Sequence, residues 1–270
     1  MFELSFSLGA VIIIIAFFSE FIDSSLGMGY GTLLTPILLI MGFQPLQVVP
    51  AVLFSEAASG ILAGIFHHSF GNVDLSVASL KDKSSVATMV KTGVSKDLKV
   101  VLVISSLSVL GTLAAVLLAV NLKTSFLKLY IGVLITCIGI FILITRKMHI
   151  KFSWKRLSIL GLIASFNKGM SGGGYGPLVT GGQILSGVDN KNAIGITSLA
   201  EGITCVVGVI LYYLTKKQIE YTILPYILIG AILSVPLSAF TVKKINGKHL
   251  RLIIGIVTLG MGILTFIKAL

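Results

Sequence analysis

The chain has 270 residues, of which 55% are hydrophobic and only 11% charged, and its mean hydropathy is +1.02. Soluble domains carry about 25% charged residues, so this composition excludes a water-soluble enzyme built around one core. The net charge of +11 does not indicate nucleic-acid binding, because Lys and Arg lie mostly between apolar segments and not on one face. We expect a multi-pass protein of the cell membrane with its basic loops in the cytoplasm.

Ten apolar elements follow one another along the chain and predict an all-α membrane protein. They cover residues 5–24, 31–42, 47–67, 99–121 and 125–145, then 157–171, 176–187, 193–214, 221–242 and 249–268. The second and the seventh have about 12 residues and are too short to cross ~30 Å of hydrocarbon as upright helices. We expect each to be a half-helix that pairs with the preceding element across a glycine break.

The two halves repeat one another at an offset of 145 residues. This offset aligns Gly27-Met-Gly-Tyr-Gly-Thr-Leu-Leu-Thr35 with Gly172-Gly-Gly-Tyr-Gly-Pro-Leu-Val-Thr180, and six of the nine positions are identical. The chain is therefore predicted to be a duplication, with a first transmembrane repeat at 1–150, which includes a polar loop at 68–98, and a second at 151–270.

Charge counting predicts how the repeats are oriented. If the first two elements of each half enter and return to the same side, one face receives fifteen Lys and Arg and the other five. Cytoplasmic loops carry the excess of Lys and Arg, so this arrangement is favoured. It places the N-terminus outside the cell and turns one repeat upside down relative to the other.

The glycine clusters are the first candidate binding site. Glycine adopts positive φ readily and leaves backbone N–H groups accessible, and in a membrane such irregular backbone is tolerated where it lines protein or a cavity. The N-terminus of a half-helix after each break also attracts anions. Close helix packing is the alternative role of these glycines. The predicted substrate-binding residues are Gly27, Gly29, Tyr30, Gly31, Asn167, Lys168, Ser171, Gly172, Gly173, Gly174, Tyr175 and Gly176.

Ionisable residues deep in apolar sequence form the second candidate. Glu56 and Glu201 are repeat mates near the midplane, where a charge costs at least about 2.5–3.5 kcal/mol, and such residues are by default candidates for function. We expect them, with Asp23, to couple transport to protons; the alternative is that they tie helices together as protonated acids. Asp23 and Lys168 occupy equivalent positions before the two breaks. Lys168 is expected either to bind an anionic substrate or to pair with Asp23.

Other chemistry has weaker support in the sequence. The four histidines fall at segment ends, where solvation at the interface is expected, and no pattern of metal ligands or nucleotide-binding motif is present. We expect no catalytic residue, metal or cofactor. The expected partners are a small anion, protons and the bilayer, without nucleic acid; a homo-oligomer is compatible with the sequence. A cation transporter using the same acids, a membrane-embedded enzyme subunit and a structural partner protein remain alternatives.

These motifs resemble those of the sulfite exporter TauE/SafE family, also called the toluene sulfonate uptake permease family. The residues that carry the resemblance are Phe21-Ile-Asp-Ser-Ser-Leu-Gly-Met-Gly-Tyr-Gly-Thr-Leu-Leu-Thr-Pro36, its echo at 166–180, and Gly71-Asn-Val-Asp74. The resemblance implies a bacterial or archaeal secondary transporter of the cytoplasmic membrane with about seven to nine spans. It also implies a sulfur-containing anion as substrate, such as sulfite, sulfoacetate or another sulfonate, and export as the direction in several members.

The sequence departs from the family pattern in two places. Its loop at 75–98 is longer and bears lysines, and its first glycine cluster has polar or larger residues where glycine or alanine is common. The latter positions are Ser24, Ser25 and Met28.

Overall fold

The computed structural model describes residues 6–77, 94–145, 153–215, 221–242 and 247–269. These residues form ten helices and one isolated antiparallel bridge between Val77 and Val94. The helices of the first half are α1 (Phe6–Leu26), α2 (Tyr30–Ile40), α3 (Pro45–Ser69), α4 (Lys96–Asn121) and α5 (Thr124–Thr145). Those of the second half are α6 (Trp154–Ser171), α7 (Tyr175–Leu185), α8 (Asn190–Thr215), α9 (Leu224–Thr241) and α10 (Gly247–Ala269).

The helices match the ten apolar elements predicted from sequence, so the all-α fold is confirmed. Six of them, α1, α3, α4, α5, α8 and α9, are long and apolar enough to cross a membrane. Large apolar side chains face outward, including Phe18 at 59% and Leu214 at 73% exposure, while many Ser, Thr and acidic side chains are buried. This distribution is the one that a hydrocarbon solvent favours, because lipid tails solvate apolar groups and polar groups must find partners inside.

The first two helices form a pair that enters and returns. Ser59 of α3 contacts Glu20, and His67, two turns further along α3, contacts Ser24, so α1 and α3 run in the same direction. Tyr30 at the start of α2 contacts Ser55 in the middle of α3, and α2 ends close to the start of α3, so it runs in the opposite direction. In the second half, α7 likewise runs opposite to α8, because Tyr175 contacts Thr204 and Gln183 contacts Thr197.

Equivalent helices of the two halves cross in opposite directions. Along α3 and α8, a Cβ on Gly60 would lie 2.8 Å from the Ser198 carbonyl oxygen, and one on Gly208 would lie 3.0 Å from Leu53. On α5, Gly132 faces Phe266 and Gly139 faces Leu259 of α10, which is again an antiparallel register. Inverted repeats require equivalent helices to run in opposite directions, as these do. The duplication itself remains a prediction from sequence, which the packing supports.

Two sequence predictions fall outside the described residues. The boundary between the repeats at 150 and 151 lies in the undescribed stretch 146–152. Many of the Lys and Arg that entered the charge count lie in that stretch or in 78–93, 216–220 and 243–246. The sides of the membrane on which the loops and termini lie therefore stay predictions.

The Gly71-Asn-Val-Asp74 segment organises the described part of the polar loop. Asn72 is buried and donates hydrogen bonds to the Ala239 carbonyl oxygen (3.0 Å) and to His67 Nδ1 (3.1 Å). Asp74 is exposed and accepts hydrogen bonds from Ser76, which hold the pKa of its carboxyl below the ordinary value. The segment thus joins the end of α3 to α9 through Asn72.

Candidate functional site

Each glycine break is a short stretch of left-handed backbone between two helices. Gly27 and Gly29 have φ of 68° and 145°, and Gly172 and Gly174 have φ of 71° and 82°. Residues with a Cβ rarely adopt these angles, which is why the chain can reverse here only at glycine. The helix that follows, α2 or α7, starts at the repeated tyrosine, Tyr30 or Tyr175.

The two breaks are packed directly against one another. A Cβ on Gly31 would lie 1.6 Å from the Gly172 carbonyl oxygen, and one on Gly176 would lie 2.4 Å from the Gly27 carbonyl oxygen. Because Gly31 and Gly176 are repeat mates, the same contact is made twice. The close-packing role that we set beside the binding role is therefore present at these positions.

Two threonines tie the breaks together by hydrogen bonds. Thr180 Oγ1 donates to the Gly27 carbonyl oxygen at 2.6 Å, and the Gly174 N–H donates to Thr32 Oγ1 at 3.2 Å. Each hydroxyl comes from the half-helix of the opposite repeat. Backbone groups that the breaks release from their helices are in this way satisfied inside the protein, as the absence of water in a membrane interior demands.

A buried ion cluster lies beside the breaks. Lys168 Nζ forms ion pairs with Glu56 Oε2 and, at 2.7 Å, with Glu201 Oε1. Asp23, Glu56 and Glu201 each offer one carboxylate oxygen, and these three atoms lie within 4.8 Å of one another. All four side chains are buried, with Lys168 fully inaccessible. The structure thus brings together the midplane acids and the lysine that the sequence singled out separately.

The cluster holds more acid than base. At separations of about 4–5 Å and an effective dielectric of about 20, two like charges repel by roughly 3–4 kcal/mol. Within the described residues, Glu56 Oε1 and Glu201 Oε2 are buried and have no hydrogen-bond partner. One ammonium cannot neutralise three adjacent carboxylates, so the cluster has positions at which a proton or another cation would lower its energy.

Asp23 contacts the start of α2 and does not form the ion pair with Lys168 that was one of the alternatives. Its Oδ1 accepts a hydrogen bond from the Tyr30 N–H at 3.1 Å, and this caps the start of α2 across the break. Lys168 pairs with the two glutamates, so the alternative of an ion pair between Lys168 and Asp23 is wrong in this structure. The sequence placed the two residues at equivalent points but could not show how far their side chains reach.

Glu20 is a buried acid that the sequence analysis missed. It is 1% exposed, lies one turn before Asp23 on α1, and accepts a hydrogen bond from Ser59 Oγ at 3.1 Å. Its repeat mate is Ser165, so a comparison of the two halves for paired acids does not reveal Glu20. The sequence nevertheless indicates Glu20 as a buried acid, because Glu20 interrupts an apolar run as Asp23 does.

The repeated tyrosines are buried and hydrogen-bonded between helices. Tyr30 Oη lies 2.6 Å from Ser55 Oγ. Tyr175 Oη lies 3.5 Å from Ser108 Oγ and accepts a hydrogen bond from Thr204 at 3.4 Å. Both tyrosines are fully inaccessible, and their place among the substrate-binding residues stays a prediction.

The predicted polar residues near the second break are held by local bonds. Asn167 Oδ1 accepts a hydrogen bond from Tyr130 at 3.1 Å. Ser171 Oγ donates to the Asn167 carbonyl oxygen at 2.8 Å and accepts from the Gly173 N–H at 3.1 Å. These contacts shape the backbone between α6 and α7, next to Lys168 at the end of α6.

His67 is not solvated, although solvation at the interface was expected for the histidines at segment ends. It is buried, and its Nε2 lies 2.9 Å from the Ser24 carbonyl oxygen. Because the Asn72 amide donates to Nδ1, Nε2 is the nitrogen that donates to Ser24. His67 therefore fixes the last turn of α1 just before the first glycine break.

Discontinuous helices that surround a buried cluster of ionisable groups are typical of secondary transporters. The fold and the site thus define a polytopic membrane transporter. The family model of the sulfite exporter TauE/SafE matches residues 12–81 and 80–265, and the chain belongs to this family of membrane transporters, which are not enzymes.

A similar protein is also described as a membrane transporter. The chain is similar to the probable membrane transporter protein YtnM of Bacillus subtilis (strain 168), with 27% identity over 256 residues. The match covers 89% of this chain and 77% of the relative. No solved structure matches the chain.

Proposed function

We propose that this transporter exports small sulfur-containing anions, such as sulfite or organosulfonates, and that protons are coupled to the movement. The observation that carries the proposal is Lys168, an ammonium buried at the second glycine break within a family described as sulfite exporters. A buried cation with no solvent access is costly, and such residues in membrane proteins lie on substrate or ion pathways.

The second repeat is the better anion site. In the first repeat, Asp23 places a carboxylate on the α2 N-terminus, so that end already has its negative partner. The equivalent position in the second repeat carries Lys168, and α7 begins close by at Tyr175. Positive charge from the ammonium and from the helix N-terminus favours an oxyanion here.

Movement of the two halves against each other would expose the site alternately. The breaks interlock through glycine and threonine contacts made between the repeats. Rocking at this interface changes access to Lys168 without breaking any helix, as in other carriers built from inverted repeats. Glu56, Glu201 and Asp23 supply the carboxylates that take up protons during the cycle.

Flux into liposomes tests the proposal. Purified protein is reconstituted, and uptake of sulfite, thiosulfate and methanesulfonate is followed under imposed pH gradients and voltages. We expect at least one of these anions to move in a saturable way, and empty liposomes and the Lys168→Gln variant to show only leakage. If none of the three anions moves under any gradient, the proposed substrate class is wrong.

A cation transporter is the second candidate, and a specific observation favours it. The oxygens of Asp23, Glu56 and Glu201 lie close enough to hold a metal or sodium ion. Lys168 separates the two functions, because its ammonium would attract an anion but compete with a cation for the carboxylates. Lys168→Gln should abolish anion binding in the first case and strengthen cation binding in the second. Thermal shifts measured with a panel of anions and cations read out both outcomes.

A further inference from the structure

We propose that the anion and a proton bind together, so that the protein is a proton–anion symporter. This inference rests on the proposed function, because it takes Lys168 as the group that binds the anion. Lys168 is held by Glu56 and Glu201. An anion can use this ammonium fully only if the two carboxylates release it.

Release of Lys168 leaves the carboxylates without a counter-charge. Glu56 and Glu201 each already have one buried oxygen without a hydrogen-bond partner among the described residues. Asp23, within 4.8 Å of both, adds a third acid. Negative charges this close in a buried site repel strongly, so the state with the anion on Lys168 requires a new positive charge on the acids.

Among the described residues around the cluster, no second basic side chain supplies that charge. The other titratable groups facing the cluster from α1, α2, α7 and α8 are acids, phenols or a thiol within the part of the chain that the structure describes. Besides Asp23 of the cluster itself, they are Glu20, Tyr30, Tyr175 and Cys205. A proton from water therefore neutralises a carboxylate oxygen of Glu56 or Glu201 while the ammonium turns to the anion.

The thermodynamic linkage between proton binding and anion binding sets the direction of coupling. If protonation of the glutamates frees Lys168, then protons strengthen anion binding and the anion strengthens proton binding by the same factor. Proton and anion then occupy the site in the same conformations and cross the membrane in the same direction. An antiporter would need the opposite linkage, in which a proton displaces the anion.

Binding calorimetry on the purified full-length protein tests this. Thiosulfate and methanesulfonate are used because both stay ionised near neutral pH, so any proton taken up belongs to the protein. Titrations in buffers of different ionisation enthalpy give the number of protons bound per anion. We expect about one, with affinity falling about tenfold per pH unit above the range in which the cluster is protonated.

Matched variants identify the groups that take up the proton. Glutamine mimics a protonated glutamate, so Glu56→Gln with Glu201→Gln should bind anion with little proton uptake and little pH dependence. Asp189→Asn, an exposed acid in the turn before α8, is the control and should behave as wild type. If the double variant does not fold, each single variant should still reduce the proton count.

The outcomes separate this inference from the proposed function. Anion binding without proton uptake by the wild type, or with proton release, overturns symport and leaves the anion transporter standing. Wild-type proton uptake that persists in the folded double variant also overturns the assignment to these glutamates. Failure of both anions to bind, together with failure of sulfite, thiosulfate and methanesulfonate to move in liposomes, overturns the proposed function itself.

Discussion

At Lys168, a single ammonium meets two glutamates in an interior that is closed to water. Pairs of this kind gain little net stability, because desolvation of both ions offsets most of their attraction. Removal of one partner is nevertheless costly, since it leaves the opposite charge buried and uncompensated. This small net gain supports the proposed role of these residues in transport.

Replacement of Lys168 tests that distinction. We expect Lys168→Ala to destabilise the protein by about 3–5 kcal/mol and to abolish anion transport, because Glu56 and Glu201 lose their shared counter-charge. Adding Glu56→Gln and Glu201→Gln should restore much of the stability but none of the transport. Thermal unfolding in detergent and liposome flux measure the two effects. Transport by the stable triple variant would remove Lys168 from the anion site.

Asp23 combines a structural and a chemical role that substitution can separate. Its Oδ1 accepts the Tyr30 N–H and so caps α2. Asp23→Asn keeps an oxygen acceptor and should retain the stability of the wild type, whereas Asp23→Ala should lose about 1 kcal/mol. Both variants remove the acid and should alter the pH profile of transport. An unchanged profile in the stable Asn variant would show that Asp23 takes no part in proton coupling.

At the scale of elements, the reversal between α1 and α2 depends on what faces each glycine. Gly31 has no positive φ, so glycine is required there because the backbone of Gly172 and Gly173 packs against it. Sequence patterns alone do not distinguish such a packing glycine from one required by backbone angle. The structure separates them, with Gly27, Gly29, Gly172 and Gly174 in the second group.

A pair of alanine variants tests the direct packing of Gly31 against the second glycine break. In Gly31→Ala, the new Cβ would lie 1.6 Å from backbone that no side-chain rotation can move. We expect the free energy of unfolding to fall by about 1–3 kcal/mol, as in overpacked cores, and transport to be lost. Gly260→Ala on α10 is the control, because nothing lies within 4 Å of its added Cβ. Equal stability of the two variants would contradict the interlocked arrangement.

At the scale of the whole molecule, α3 and α8 cross antiparallel with Gly60 and Gly202 at the contact. Their acids Glu56 and Glu201 therefore approach one Lys168 from opposite repeats. The ion cluster is in this way assembled from both halves of the chain.

Labelling of equivalent loop positions tests the inversion. Gln44 and Asp189 are exposed repeat mates that precede α3 and α8. In a background without Cys137 and Cys205, we expect Gln44→Cys to react with an impermeant maleimide on intact cells. Asp189→Cys should react only after permeabilisation, because the positive-inside rule predicts that the basic face is cytoplasmic. Labelling of both from one side would exclude inverted repeats.

Symport also predicts how charge governs export. With one proton per anion, a dianion carries one net negative charge, which an interior-negative potential of about 100 mV drives outward by about 2.3 kcal/mol. An inward proton gradient of about one pH unit opposes this by only about 1.4 kcal/mol. We expect thiosulfate flux to respond to a potassium diffusion potential and methanesulfonate flux to respond to pH alone. Equal voltage dependence of the two anions would contradict the one-proton stoichiometry.

The sequence by itself determined the class of fold, the ten helices, the two glycine breaks and the placement of Glu56, Glu201, Asp23 and Lys168 deep in apolar segments. It could do so because hydrophobic length, backbone freedom of glycine and the cost of buried charge are local properties. The partners of Lys168, the cap made by Asp23 and the burial of His67 were decided only by tertiary structure. These features depend on which side chains the crossing of distant helices brings within hydrogen-bond distance, and spacing along one chain does not specify that.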